Sequence, residues 1–125
     1  MKKIILAVIA SGIWMNVNEF LRNELLLKDQ WVSTFQNLGL TFPSAPINGL
    51  IWAIWTFLFC IVLTILCEYF SALRATVIAW STGFVLMWVV LLNLGILPQG
   101  ILLIAIPWSF MEVFIAAKIS LKIIK

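Results

Sequence analysis

Three observations predict an all-α, integral membrane four-helix bundle with a short amphipathic interfacial segment between its first two helices. The 125 residues are 64% hydrophobic and only 10% charged, with a mean hydropathy of +1.14. A soluble domain carries about 25% charged residues, and a chain this small has too much surface to hide so much apolar area from water. The apolar residues fall into long uncharged runs separated by turn chemistry. Crossing the hydrocarbon core takes about 20 mainly apolar residues as a helix.

The first span is expected over about residues 3–22. Ile4 to Met15 is apolar, and Asn16, Asn18, Glu19, Arg22, Asn23 and Glu24 follow. Lys2, Lys3 and the Val8-x-Ala10 step resemble a secretion signal. Only six apolar residues precede that step, however, which is short for the apolar region of such a signal. A retained helix is the expectation. Between Asn23 and Pro46, Trp31, Phe35 and Leu38 recur at helical spacing, with Lys28, Asp29, Gln30, Ser33 and Gln36 between them. That pattern predicts a short amphipathic helix lying in the interface, followed by an extended return through Leu40 to Pro46.

The second span, 47–67, contains no charge, stands behind Pro46 and is closed by Glu68. The uncharged run from Ala75 to Met111 is 37 residues. As one helix it would reach about 55 Å, nearly twice the bilayer core. It must break at Asn93-Leu94-Gly95-Ile96-Leu97-Pro98-Gln99-Gly100, which gives spans over about 72–94, with Ser71 as N-cap, and about 100–118. The whole chain, 1–125, is then a single transmembrane domain.

Lys and Arg counts set the expected orientation. With the N-terminus inside, Lys2, Lys3, Arg74, Lys118, Lys122 and Lys125 lie on the cytoplasmic side, and Arg22 and Lys28 lie outside. The chain is expected in a cell membrane, the inner membrane of a bacterium, with both termini cytoplasmic. The net charge of +3 is carried largely at the chain ends and forms no basic patch interleaved with aromatics, so nucleic acid is not an expected partner. The expected partners are the lipid bilayer and either further copies of the chain or another membrane protein.

Histidine is absent. This removes the usual general base, haem ligand and zinc ligand together. No catalytic residue, metal site or cofactor is expected. Cys60 and Cys67 stand seven residues apart. On one helix that is about 10 Å along the axis, too far for them to bridge each other.

Glu112 is the foremost candidate functional residue. It lies within the fourth span, six residues before Lys118, with no basic residue three or four positions away. A charged side chain at such depth costs at least a few kcal/mol unless it is paired, solvated or protonated, at about the level insertion scales assign. Two readings are open: a proton- or cation-exchanging group, or a hydrogen-bonded carboxyl that joins helices. Its helix face carries Ala105, Trp108, Ser109 and Ala116, and Pro107 deprives the carbonyl of Leu103 of its amide donor. Ser81 and Thr82 of the third span, Ser11 of the first and Thr64 of the second are its expected neighbours in depth.

Asn16, Asn18, Glu19 and Arg22 form a second polar group. Glu19 and Arg22, three apart, can neutralise each other on a helix. The favoured reading is a polar helix end that meets headgroups, and the alternative is a vestibule opening towards the bundle. Trp14, Trp52, Trp55, Trp88 and Trp108 form a third group near one level. They serve either as an interfacial belt or as walls of a cavity for an apolar or cationic ligand. Ala75, Ala79 and Gly83 form a small-residue stripe suited to close helix packing, within the chain or between copies.

The length and span count resemble those of the small multidrug-resistance exporters. Those proteins carry their essential acid in the first helix, where Ile4 to Met15 has none, so the likeness ends at layout. The expected function is that of a transporter-like or small-ligand-binding membrane protein using an intramembrane carboxylate. An accessory subunit of a membrane complex is the alternative, and an intramembrane lipid-modifying enzyme is the third possibility.

Overall fold

The computed structural model describes all 125 residues and is all-helical, with five helices and no strand. Helix α1 runs over Lys2–Leu26, α2 over Lys28–Asn37, α3 over Pro46–Tyr69, α4 over Ala72–Asn93 and α5 over Leu102–Ile124. All except α2 are long and apolar enough to cross a membrane. These four apolar helices suggest a multi-pass membrane protein.

Each boundary has a local cause. Pro46 opens α3 at a position where its missing N–H is no loss. Gly39 and Gly95 take positive φ at the turns that end α2 and α4, and Gly100 does so just before α5. Ser71 occupies the N-cap of α4, but its hydroxyl makes no capping bond. The last helix runs beyond the expected 118 to Ile124, so Lys118 and Lys122 are helical. The first likewise continues past Arg22 to Leu26.

The core is built from small and sulfur-bearing side chains. Ala72, Ala75 and Ala79 of α4 and Ala105, Ala116 and Ala117 of α5 are buried, along with Met15, Cys60, Leu63 and Cys67. Ala75 and Ala79 are thus spent inside the chain, which assigns the small-residue stripe to internal packing. Gly83 belongs to it for the same reason, because a Cβ there would meet the Phe59 ring at 2.5 Å. Gly12 likewise admits the Phe57 ring. Both cysteines are free. Cys60 contacts Met15 at 3.5 Å, and the Cys67 thiol points to the carbonyl of Ala117 at 3.7 Å. Thr64 and Ser120 share a hydrogen bond of 3.1 Å.

Two helices contain a π turn. In α1 it covers Leu21–Leu26, where the amide of Leu27 donates to the carbonyl of Arg22 at 2.8 Å. In α4 it covers Ser81–Val85. Such turns add one residue to a helical repeat and shift every following side chain around the axis. The buried positions record the shift. In α4 they step from Ala79 to Phe84 to Trp88, and in α1 from Glu19 to Arg22 to Leu27.

Candidate polar site within the bundle

Glu19 and Arg22 project from the last turns of α1 into the bundle, where they are 2% and 3% exposed. Glu112, 1% exposed, projects from the middle of α5. The Arg22 guanidinium joins the two carboxylates. One terminal nitrogen donates to Glu112 Oε2 and the other to Glu19 Oε1, each at 2.5 Å. This spread fork suits a planar guanidinium, with two donors aimed at separate acceptors. Glu112 therefore has a basic partner, supplied by tertiary structure from 90 residues away.

The rest of the shell is aromatic and amide. Glu19 Oε2 accepts from Asn23 Nδ2 at 3.0 Å and from the Trp52 indole at 3.3 Å. The Phe84 ring lies 5.9 Å from the guanidinium carbon, at cation–π range. The π turn in α4 carries Phe84 inward to that position. One acceptor has no partner: Glu112 Oε1 is buried without a hydrogen bond. Ionised, the three groups carry two negative charges and one positive.

Two spaces flank the triad. The larger, about 760 Å³, is lined by Glu19, Arg22, Asn16, Asn23, Trp52 and Trp88, and by Trp31 and Phe35 of α2 with Phe42 of the following segment. The Phe35 and Phe42 rings meet edge to face at 5.3 Å, and Trp31 stands 6.3 Å from Phe42. The second space, about 560 Å³, is an open groove between α1 and α5 bordered by Trp14, Asn18, Trp108 and Glu112.

Several sequence expectations change here. The polar group of α1 does not simply face outward: Glu19 and Arg22 are buried and belong to one site with Glu112. Their buried pairing offsets part of the desolvation cost that a lone buried acid would incur. Asn16 and Asn18 are half-buried and donate to the carbonyls of Gly12 and Trp14. The expected neighbours of Glu112 are engaged elsewhere. Thr82 is exposed and donates to the carbonyl of Ile78, Ser11 donates to that of Ala7, and Ser81 is half-buried. Ser109 is buried beside α4, where it accepts from the Trp80 indole at 2.9 Å.

The tryptophans make separate sets of contacts. Trp14 donates to the backbone carbonyl of Glu112 at 3.0 Å, and Trp108 donates to Asn18 Oδ1 at 3.1 Å. Both brace α1 against α5. Trp55 stacks between Trp52 and Phe59, with ring centroids 5.9 and 5.5 Å away. Trp88 packs against Phe84 and Trp80. The amphipathic helix expected between the first two spans is α2, and its Trp31 and Phe35 turn towards Phe42 and the larger cavity.

Sequence reasoning missed Phe84, Asn23, Trp80 and Phe42 as members of the site. Asn23 had a signal, since it stands four residues after Glu19 on one helical face. Phe84 had none, because its inward direction depends on the π turn. No family model, curated protein or solved structure matches the chain, so its function is argued from the triad and its flanking spaces.

Proposed function

We propose that the chain is a multi-pass protein of a bacterial inner membrane, with both termini cytoplasmic, that binds a small molecule and exchanges a proton or cation at Glu112. The observation that carries this is the buried triad. Two carboxylates share one guanidinium, one Glu112 oxygen is buried without a partner, and Glu19 and Arg22 line the larger aromatic cavity. Purely structural ion pairs are favoured when every lone pair is satisfied, because an unpaired buried acceptor costs stability. An unsatisfied carboxylate oxygen next to such a pair suits a group that takes up and releases a positive charge. The wall of the larger cavity, aromatic with a few convergent polar groups, suits a small ligand. The six-to-two distribution of Lys and Arg supports the orientation.

The test is proton movement in proteoliposomes containing a trapped pH dye, challenged with a panel of small organic cations and neutral amphiphiles. Wild type should acidify or alkalinise the lumen with at least one compound. Glu112→Gln should abolish that movement while leaving the protein monodisperse. Equal proton movement by both proteins would remove the proposal.

A further inference from the structure

We infer that the larger cavity is a binding site for a neutral sugar ring, carried either by a free saccharide or by the headgroup of a glycolipid. The inference rests on the reading of that cavity as the ligand space and names the ligand's chemical class.

The cavity wall is drawn from the last turns of α1, from α2 and the segment after it, from the second half of α4 and from the first turns of α3 and α5. These parts meet at one end of the bundle, so the space stands where a lipid headgroup or a dissolved molecule arrives. Its volume of about 760 Å³ falls within the range of about 300–1,000 Å³ usual for small-ligand sites.

The charges of the wall disfavour an ion. They belong to Glu19, Arg22 and Glu24. Arg22 is shared between Glu19 and Glu112, and Glu24 pairs with Lys28 at 3.0 Å. An anion would compete with two carboxylates for the guanidinium. A cation would compete with Arg22 or Lys28 for an acid. Taking one partner from a buried pair is costly, so a neutral guest is favoured.

The uncharged polar groups favour hydroxyls. Asn16 spends its amide nitrogen on the carbonyl of Gly12, and Asn23 spends its own on Glu19. Their amide oxygens remain as acceptors. The Trp52 indole N–H is also taken, by Glu19 Oε2. From α3 and the segment before it, Asn48 and Ser44 add an amide and a hydroxyl. A guest that covered these groups with apolar surface would leave them unpaired, at a cost. Hydroxyls donate and accept at once and suit such a set.

The same space is faced by rings. Trp31, Phe35 and Phe42 stand on one side with Trp52, which is 42% exposed. An aromatic face is electron-rich and attracts C–H bonds that neighbouring oxygens have made electropositive. A pyranose presents both surfaces together, a face of C–H bonds and an edge of hydroxyls. A flat aromatic guest would satisfy the rings and not the amides, and an open-chain polyol the amides and not the rings.

Photolabelling of the full chain tests this, in nanodiscs of phosphatidylethanolamine and phosphatidylglycerol and after purification without glycoside detergents. The probes carry a diazirine on a glucose, galactose or N-acetylglucosamine ring, once as the soluble methyl glycoside and once as the diacylglycerol glycoside in the bilayer. At least one should label residues of the larger cavity, located by mass spectrometry, and its unlabelled parent should suppress the labelling. Labelling by a soluble probe assigns a free saccharide, and labelling by a lipid probe alone assigns the headgroup. Labelling by none, or only outside the cavity, would overturn the proposal.

Competition measures the class. Glucosamine, glucuronate and nicotinamide should each compete at least about fivefold more weakly than the best neutral sugar. A charged sugar or nicotinamide that competes as well would show the assignment to be wrong. Trp31→Ala and Asn48→Leu, neither of which pairs with the ionic triad, should each weaken labelling affinity by about fivefold or more. Unchanged affinity in both would place the sugar elsewhere, and should either variant misfold, the wild-type labelling map decides. If wild type binds no sugar yet moves protons with another compound, the sugar site fails and exchange at Glu112 stands. If it binds sugar and moves no proton with any compound, exchange fails and the sugar site stands.

Discussion

Arg22 is the residue on which the buried polar site turns. It answers two carboxylates at 2.5 Å each, so its loss differs from the loss of either acid. Breaking a buried ion pair by removing one partner costs about 3–5 kcal/mol. Arg22→Met strands two acids and should fall at or above that range, seen as a large drop in thermal unfolding temperature in mild detergent. Glu112→Gln keeps the shape and can still accept from Arg22, so it should cost only about 1–3 kcal/mol. If Arg22→Met is no less stable than Glu112→Gln, the bridging role assigned to Arg22 is wrong. Much of this was readable in advance: Glu112 stood out as an acid in an apolar run, and Glu19 and Arg22 as an i,i+3 pair. Their union was not readable. It depends on two residues 90 positions apart meeting across α1 and α5, and nothing local to either helix encodes that meeting.

Among the helices, close packing and the two π turns carry the specificity. Gly12 and Gly83 each receive a phenyl ring where a Cβ would collide. Gly83→Ala should cost about 1–3 kcal/mol through overpacking, and Phe59→Leu in the same chain should recover part of the loss. Additive destabilisation by the pair would show that the contact is not the cause. The π turn in α4 invites a second check. Deleting Thr82, an exposed residue within it, should restore the ordinary helical repeat and keep Phe84 and Trp88 on the inward face, four and eight steps after Ala79. Protection of tryptophan fluorescence from acrylamide should therefore persist, and its loss would show that the extra residue is not what the π turn accommodates. The four long helices were visible from uncharged runs and turn residues, and α2 from the spacing of Trp31, Phe35 and Leu38. The π turns were not, because a run that is apolar all round has no polar face against which a shifted period could show.

Taken whole, the molecule presents an apolar exterior around a narrow core of small residues and one ionic centre. Under the proposed orientation, tags at both ends should resist protease added to intact cells, and a tag inserted near Asn37 should be cleaved. The reverse pattern would invert the membrane topology and place the larger cavity on the cytoplasmic side. Overall architecture was the most readable property of the sequence, since composition alone limits what solvent such a chain can tolerate. The role of α2 was the least readable. Its spacing marks Trp31 and Phe35 as one face, but their contact with Phe42 depends on the path of the following segment, which spacing does not encode.

The separation of Glu112 from Arg22 along the chain bears on how the protein is made. Under the proposed membrane placement, α1 enters the bilayer with its guanidinium already matched by Glu19, so the buried pair adds no net charge to the first helix. The final helix is different, because its acid has no companion on the same segment. It emerges after the other three long helices, when a cation is waiting at the far end of α1. Insertion of α5 is thus coupled to docking, and a chain lacking Arg22 should leave its last helix stalled at the translocation channel or exposed to membrane proteases.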